Sequence, residues 1–315
     1  MFSLKKSIFF FALCMSIAAN AQYATLMSDA DFNGRAISTS KLVGVIDGQH
    51  GITATGAASY NIPIKVTPGI NGMEPDIAIT YNSQSGNGLL GMGWNLSGLS
   101  AITVENKNLY LDGKVEPIQL DKENRFSLDG KRLINDNQIE CCVLSNTWRT
   151  ETEDYVSIIG NGLLNNCLTC NYWIPAWFEV KTKDGMVYEY GNNTSTTNSL
   201  VTASSGTNIY PMMWRMNKAT DNNGNYIEYI YENVNGESRI KYIKYTGNGS
   251  VLPTNIITFS YTTRNDNNSA LYSRSDIVNT LGNYALKFNS LLESVTITTD
   301  NGATQVKKIS IYLRF

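Results

Sequence analysis

The clearest pattern of apolar and polar positions runs from Gly56 to Ser100. Tyr60, Ile62, Ile64 and Val66 alternate with Asn61, Pro63, Lys65 and Thr67, which predicts a half-buried strand. Pro63 cannot donate to a ladder, so that strand is expected at a sheet edge, or the proline marks a bulge. Pro68-Gly69-Ile70-Asn71-Gly72 is a chain reversal, and Ile77, Ile79 and Tyr81 then give a second strand one apolar face. The two strands predict a hairpin-like unit. Gly91-Met92-Gly93-Trp94 follows: two glycines on one face of an extended segment would let another backbone approach closely, with Trp94 beside the gap.

The same pattern continues to the C-terminus. Turn dipeptides recur between short strand-like runs at Asp112-Gly113, Asp129-Gly130, Asp184-Gly185, Asn223-Gly224, Asn235-Gly236 and Asn301-Gly302, as antiparallel hairpins require. Phe178 to Lys181 and Met186 to Gly191 predict one hairpin, and Trp214 to Thr220 with Asn225 to Tyr229 another. Asn192 to Thr207, rich in Ser, Thr and Asn, reads as an exposed loop. Heptads and long amphipathic helices are absent from the pattern. The expected fold is all-β, with antiparallel hairpins and meanders forming a curved, shell-like sheet.

The segment SYNIPIKVTPGINGMEPDIAITYNSQSGNGLLGMGWNLSGLSAI resembles the opening signature of the SpvB-type domain, found at the N-terminus of insecticidal toxin-complex (Tc) B components and RHS (YD-repeat) proteins. The Phe178 hairpin and the turn Asp221-Asn222-Asn223-Gly224-Asn225 resemble further elements of that family, so the likeness runs from about Val43 to the C-terminus. It implies a secreted, non-enzymatic structural domain. Such a domain helps build a hollow β-cocoon that encloses a toxic polypeptide and docks to an RHS/Tc-type shell or translocation protein. Pro63, Gly72, Pro75, Tyr81, Gly91, Gly93 and Trp94 are then structural positions of the signature. The sequence contains no YD repeats, propeller repeats or C-terminal effector, so a complete cocoon is not expected from it alone.

Composition narrows the alternatives. The 315 residues carry 25 Lys and Arg against 27 Asp and Glu, a net charge of −2, which gives no basic surface for nucleic acid. Eighteen Tyr, ten Phe and five Trp against a single histidine favour packed sheet over metal or acid/base chemistry. Lys5 and Lys6, the apolar run Ile8 to Ile17, and Ala19-Asn20-Ala21 predict a signal peptide over residues 1–21, followed by a polar leader over 22–42 and the SpvB-type β domain over 43–315. The apolar run is too short to span a bilayer, and no transmembrane helix is expected after its removal. The product is expected to be extracellular, periplasmic or at the cell surface.

The candidate chemistry is thin, and no cofactor or metal is expected. Gly86-Asn87-Gly88-Leu89-Leu90-Gly91 spells G-x-G-x-x-G, but a dinucleotide site needs a helix next, and Met92 to Gly98 has no helical period. Glu151-Thr152-Glu153, with Arg35 and Ser38-Thr39-Ser40 upstream, contains the residue types of an arginine-specific ADP-ribosyltransferase, an enzyme that one member of the resembled family carries after this domain. Here the pieces are separated by the whole signature. Asp221, Asn223 and Asn225 lack the glycine position and distal acid of a calcium loop. His50 sits in a turn context. Cys141, Cys142, Cys167 and Cys170 are disulfide candidates in an exported protein, the first pair joined to the second with connectivity open. Ile309, Ile311, Leu313 and Phe315 alternate like the last strand of an outer-membrane β-barrel, the main rival to the shell reading.

Overall fold

A computed structural model describes residues 47–118, 125–135, 145–163, 174–192, 197–205, 208–234, 236–264, 278–281, 284–287 and 289–311. The alternating run at the start forms β2 (Ala58–Pro63), flanked by β1 (Gln49–Ile52) and β3 (Ala78–Asn82). A two-stranded ribbon, β4 (Asn87–Gly88) with β5 (Gly91–Met92), leads into β6 (Trp94–Ser97). The four longer strands form an antiparallel sheet in the order β1-β2-β3-β6. The expected hairpin is present as β2 and β3, but β2 is interior, not an edge. Ile64 N donates to Ile77 O on the β3 side (2.9 Å), so the nitrogen of Pro63 faces the other way. There β1 has already ended, with Gln49 opposite Asn61, and no N–H is missed.

The next segment closes on itself. It comprises β7 (Ala101–Glu105), a single helical turn α1 (Leu109–Asp112), β8 (Arg125–Leu128), β9 (Lys131–Asn135), β10 (Ser145–Thr150), β11 (Ser157–Leu163), β12 (Pro175–Lys181), β13 (Val187–Tyr190), β14 (Leu200–Ser205) and β15 (Asn208–Thr220). Strands β7 to β13 pair in sequence, and both ends of that run pair with β15: β7 at Met213 to Arg215 and β13 between Met216 and Thr220. The ring is filled by aromatic rings in edge-to-face packing. Phe178 stands perpendicular to Trp214 at 5.2 Å, Phe126 lies 5.5 Å from Trp214, and Trp148 lies 5.3 Å from Phe178. Trp214 is fully buried and its indole N–H donates to Pro175 O (3.0 Å). Gly191 makes room for it, because a Cβ there would lie 2.4 Å from Trp214 Cδ1.

From β15 the sheet continues as an open meander: β16 (Asn225–Val234), β17 (Glu237–Asn248), β18 (Asn255–Thr263), β21 (Ser290–Thr299) and β22 (Thr304–Ser310), with a separate hairpin of β19 (Val278–Leu281) and β20 (Tyr284–Lys287) before β21. Tyr229, Ile243, Ile257 and Ile297 align across four of these strands and are buried. Ile64, Met73, Ile77, Ile79 and Leu90 of the first sheet join the same core. The fold class is therefore the one expected.

Two readings of the pattern need correction. Asn192 to Thr207 is not simply an exposed loop: Leu200–Ser205 is β14, paired along β15, and Thr197 and Ser199 are buried. Tyr231 N donates to Thr197 O and Arg215 N to Ser199 O (both 2.9 Å), so backbone pairing to long neighbours overrides a polar composition. Asp112-Gly113 is not a hairpin turn but the end of α1, where Gly113 is the left-handed C-cap and Asn108 Oδ1 accepts from Leu111 N (2.8 Å). The other turn dipeptides lie between consecutive strands of the sheet, with Asn235 itself outside the described residues.

That single helical turn aims Asp112 at two arginines. Its side chain is 4% exposed and accepts from Arg132 Nη2 (2.6 Å) and Arg125 Nε (2.7 Å), tying α1 to β8 and β9. Burial alone would raise its pKa. The Arg125 hydrogen bond, the Asn108 backbone N–H and the Arg132 guanidinium outweigh that and hold it below the ordinary carboxylate range. A depressed folded pKa gives stability that is present above the unfolded value and lost as pH falls through the folded one. Urea unfolding should therefore show stability dropping below about pH 4, with a shallower drop in Asp112→Asn. At pH 7 Asp112→Ala should cost about 3 kcal/mol, since it removes the carboxylate that accepts from both arginines and leaves the buried Arg132 guanidinium, among the described residues, with only Glu105 Oε2 (3.3 Å) and Asn106 O (3.0 Å); an unchanged midpoint at both pH values would contradict this.

Candidate interaction surface

Tyr60 of β2, Tyr81 of β3 and Trp94 of β6 are direct cross-strand partners. Tyr81 lies 5.0 Å from Trp94, and Tyr60 meets Trp94 edge-on at 6.4 Å, so the three rings form one row across the signature sheet. His50 is opposite Tyr60 in β1, an exposed strand position and not a turn. Gly91 and Gly93 do not lie on extended backbone: their φ values are 100° and 76°. Their requirements differ. A Cβ on Gly91 would meet nothing within 4 Å, whereas one on Gly93 would lie 2.6 Å from Tyr81 Cε2 and 2.9 Å from Asn82 O. Close approach occurs at Gly93, and Gly91 serves the chain's torsion alone. Asn71 and Gly72, both at positive φ, form the tip of the tight turn that brings Met73 N to Ile70 O (2.9 Å), and Pro75 is buried just beyond.

The signature segment is latched to the large sheet at widely separated points. Tyr245 O–H donates to Thr67 O (3.1 Å) and Asn255 Nδ2 to Thr67 Oγ1 (3.1 Å). Leu292 N donates to Leu89 O (2.7 Å), and Arg264 Nη2 to Gly88 O (2.8 Å). Ser100 Oγ donates to Asp129 Oδ2 (2.6 Å), and Ala101 N to Asp129 Oδ1 (2.9 Å), which fixes the entry to β7. The G-x-G-x-x-G run is thus a ribbon followed by strand β6, with its Gly88 and Leu89 carbonyls used as latches. None of these partners has a local sequence signal, because each lies far along the chain.

A further latch borders a cleft of about 480 Å³. Its walls are the Asn71-Gly72 turn, the Asp184 turn between β12 and β13, and the Asp221 to Asn223 turn between β15 and β16. Asp221 Oδ1 accepts from Asn223 N and Asn225 N (both 2.8 Å), Oδ2 accepts from Asn225 Nδ2 (2.7 Å), and the Asn71 amide lies near enough to add to the field that favours the carboxylate. Burial works to raise the Asp221 pKa, but these donors prevail and hold it below its usual range. They also occupy the oxygens a calcium ion would need. Asn222 Nδ2 donates to Asp184 O (2.8 Å), joining two of the turns. The floor is apolar, with Met73, Met186, Ala219, Ile227, Tyr188 and Tyr229.

No cluster of three or more metal-ligating side chains occurs among the described residues. Glu151 and Glu153 are exposed, while Arg35 and Ser38 to Ser40 lie outside the described residues. So do the signal peptide and leader, Cys141, Cys142, Cys167, Cys170, Leu313 and Phe315. No helix among the described residues is long and apolar enough to cross a membrane.

Residues 52–110 match the family model described as Salmonella virulence plasmid 65kDa B protein, SpvB. No curated protein matches the chain in sequence. Among solved structures, a TcdB2-TccC3 crystal structure aligns with TM-score 0.63 at 15% identity, over 84% of this chain and 15% of that one. A Photorhabdus luminescens Tc holotoxin pore aligns with TM-score 0.61 at 15% identity, over 87% of this chain and 15% of its counterpart. The N-terminal domain of the effector protein SpvB from Salmonella typhimurium strain LT2 aligns with TM-score 0.56 at 12% identity, over 78% of this chain and 91% of that one. The SpvB-type resemblance read from the motifs and the fold it implied are both present.

The two glycines give a direct test of the signature geometry. Gly93→Ala meets both a positive φ and the Tyr81 ring and should lose more than about 2 kcal/mol in urea unfolding, whereas Gly91→Ala carries only the backbone cost of about 1–2 kcal/mol. Equal losses would refute the distinction.

Proposed function

We propose that this chain is a non-enzymatic wall-building domain of a Tc-toxin-like shell, which encloses or helps deliver a toxic polypeptide together with an RHS/Tc-type partner. The observation that carries it is the continuity of the large sheet: a closed ring filled by aromatic side chains passes through β15 into an open meander ending on the edge strand β22. Such a layout presents extended sheet surface for assembly, with β22 unpaired on one side among the described strands. The alignment with Tc structures supports the same reading, although this chain spans 15% of the TcdB2-TccC3 chain. In this proposal residues 1–21 are a cleaved signal peptide, 22–42 a leader and 43–315 the SpvB-type domain.

Pairing of the four cysteines across two segments belongs to the same proposal. What supports it is the pairing of Ser145 with Asn161, residues close in sequence to Cys141-Cys142 and to Cys167-Cys170 respectively. Intact-mass measurement of the exported protein without reductant should give a chain beginning at Gln22 with two disulfides; four free thiols or a retained Met1 would sink that part.

Assembly is tested by co-expressing the tagged chain with an RHS-like protein from the same genome. A stable, detergent-independent complex by size-exclusion chromatography is expected. Heat-modifiable migration that depends on detergent would favour the membrane barrel instead, and NAD consumption by the purified chain would favour the transferase.

A further inference from the structure

Five tyrosines of the main sheet are buried and Tyr261 is half-buried, and of these six hydroxyls five hydrogen-bond a protein group. Tyr190 bonds Ser100 Oγ (2.9 Å), Tyr226 bonds Val251 O (3.2 Å), Tyr231 bonds Met216 O (3.0 Å), Tyr245 bonds Thr67 O (3.1 Å) and the less deeply buried Tyr261 bonds Ile240 O (2.6 Å). Tyr229 is the exception. Its side chain is 4% exposed and lines the cleft between the three turns, and its hydroxyl, whose oxygen is not among the fully enclosed unpaired atoms, bonds no protein group among the described residues. A tyrosine whose ring is buried and whose hydroxyl is left to a cleft, bonded to no protein group, offers that oxygen to a donor from outside.

The surroundings say which. Glu74, Asp184 and Asp221 line the cleft, and no lysine, arginine or histidine does so among the described residues. Asp221 is spent on its own turn, but Glu74 uses only Oε2, which accepts from Gly69 N (3.1 Å), and Asp184 is exposed at the rim. The hydrogen bond from the Thr182 hydroxyl is the main cause holding Asp184 below its usual range, so it is charged at neutral pH. Below the acidic rim the floor is methionine, isoleucine and the tyrosine rings. An acidic mouth over an apolar floor with a hydroxyl acceptor suits a long alkyl stem ending in a cation.

We propose that this cleft seats an arginine or lysine side chain presented by another polypeptide, with Asp184 and Glu74 facing its charge and Tyr229 accepting one of its N–H groups. A pocket for one basic residue is independent of the shell reading, whichever partner supplies that residue. A metal ion fits poorly, since Glu74, Asp184 and Asp221 do not converge as a ligand set and the Asp221 oxygens are taken by its own turn.

Ligand-observed saturation-transfer NMR on the full chain tests it, with Nα-acetyl-arginine methylamide, its neutral citrulline counterpart and spermidine as probes. The arginine probe should bind saturably and at least about 5-fold tighter than citrulline. Asp184→Asn and Tyr229→Phe should each weaken it about 3-fold or more, while Glu151→Gln, away from the cleft, leaves it unchanged. Circular dichroism confirms that the variants remain folded, and Glu74→Gln replaces any that does not. Equal binding of arginine and citrulline probes, tighter binding of spermidine, or indifference to these substitutions would overturn the proposal. Should the probes fail while the chain still co-purifies with an RHS-like protein, the pocket is refuted and the shell stands.

Discussion

Thirteen residues of β15 satisfy four other strands, and the rest of the fold depends on that arrangement. β14 and β7 meet its first part, and β13 and β16 its last. A strand shared in this way must change neighbours along its length, which bends the sheet and forces its register to shift. The shift falls at Tyr190, which pairs with Met216, while Glu189 pairs with Lys218 and skips Asn217. Asn217 is buried there, and its side-chain oxygen accepts from Asn192 N (3.0 Å), so the skipped residue is held by the chain that leaves β13. Trp214 sits at the crossing and plugs the ring.

The ring and meander share one apolar interior, and the signature segment completes it. Ile64, Met73, Ile77 and Leu90 would be exposed without the meander to cover them, and the meander's Tyr245 and Asn255 would lack their Thr67 partners. The latches at Thr67, Gly88, Leu89 and Ser100 touch both ring and meander. Hydrophobic burial supplies the adhesion and is non-directional; the latches fix the register in which it occurs.

The class of fold was readable because turn chemistry and two-residue alternation are local. Asp129-Gly130 and Asp184-Gly185 each demand positive φ, and they lie where hairpins form. What escaped was every feature set by a distant partner. β14 looks like a polar loop until β15 pairs with it, and Pro63 looks like an edge marker until the short reach of β1 is known. Asp112-Gly113 spells a turn in either setting; the Asn108 cap makes it the end of a helical turn, and Arg125 and Arg132, outside its local window, anchor that turn to β8 and β9. The pair of signature glycines was visible, but their separate causes were not, since one depends on the Tyr81 ring across the sheet.

The polar groups of the described sheet are largely committed to holding shape. Asp221 binds its own turn, Asp112 binds two arginines, Asp129 holds the entry to β7, and Glu232 accepts from Arg239 Nε (2.8 Å). Arg215 lies over the Tyr231 ring at 4.9 Å and donates to Ser238, a cation kept against an aromatic face. General acid/base chemistry needs a group whose proton is free to move near neutrality, and carboxylates held by several donors are pushed away from that range. In the proposed wall role the demand is the opposite: each polar atom is fixed by its neighbours so that the sheet keeps its curvature. The described polar groups named above are held in that way. The three-turn cleft departs from it, because the Tyr229 hydroxyl, unlike those of Tyr190, Tyr231 and Tyr245, has no partner among the described residues beneath its acidic rim.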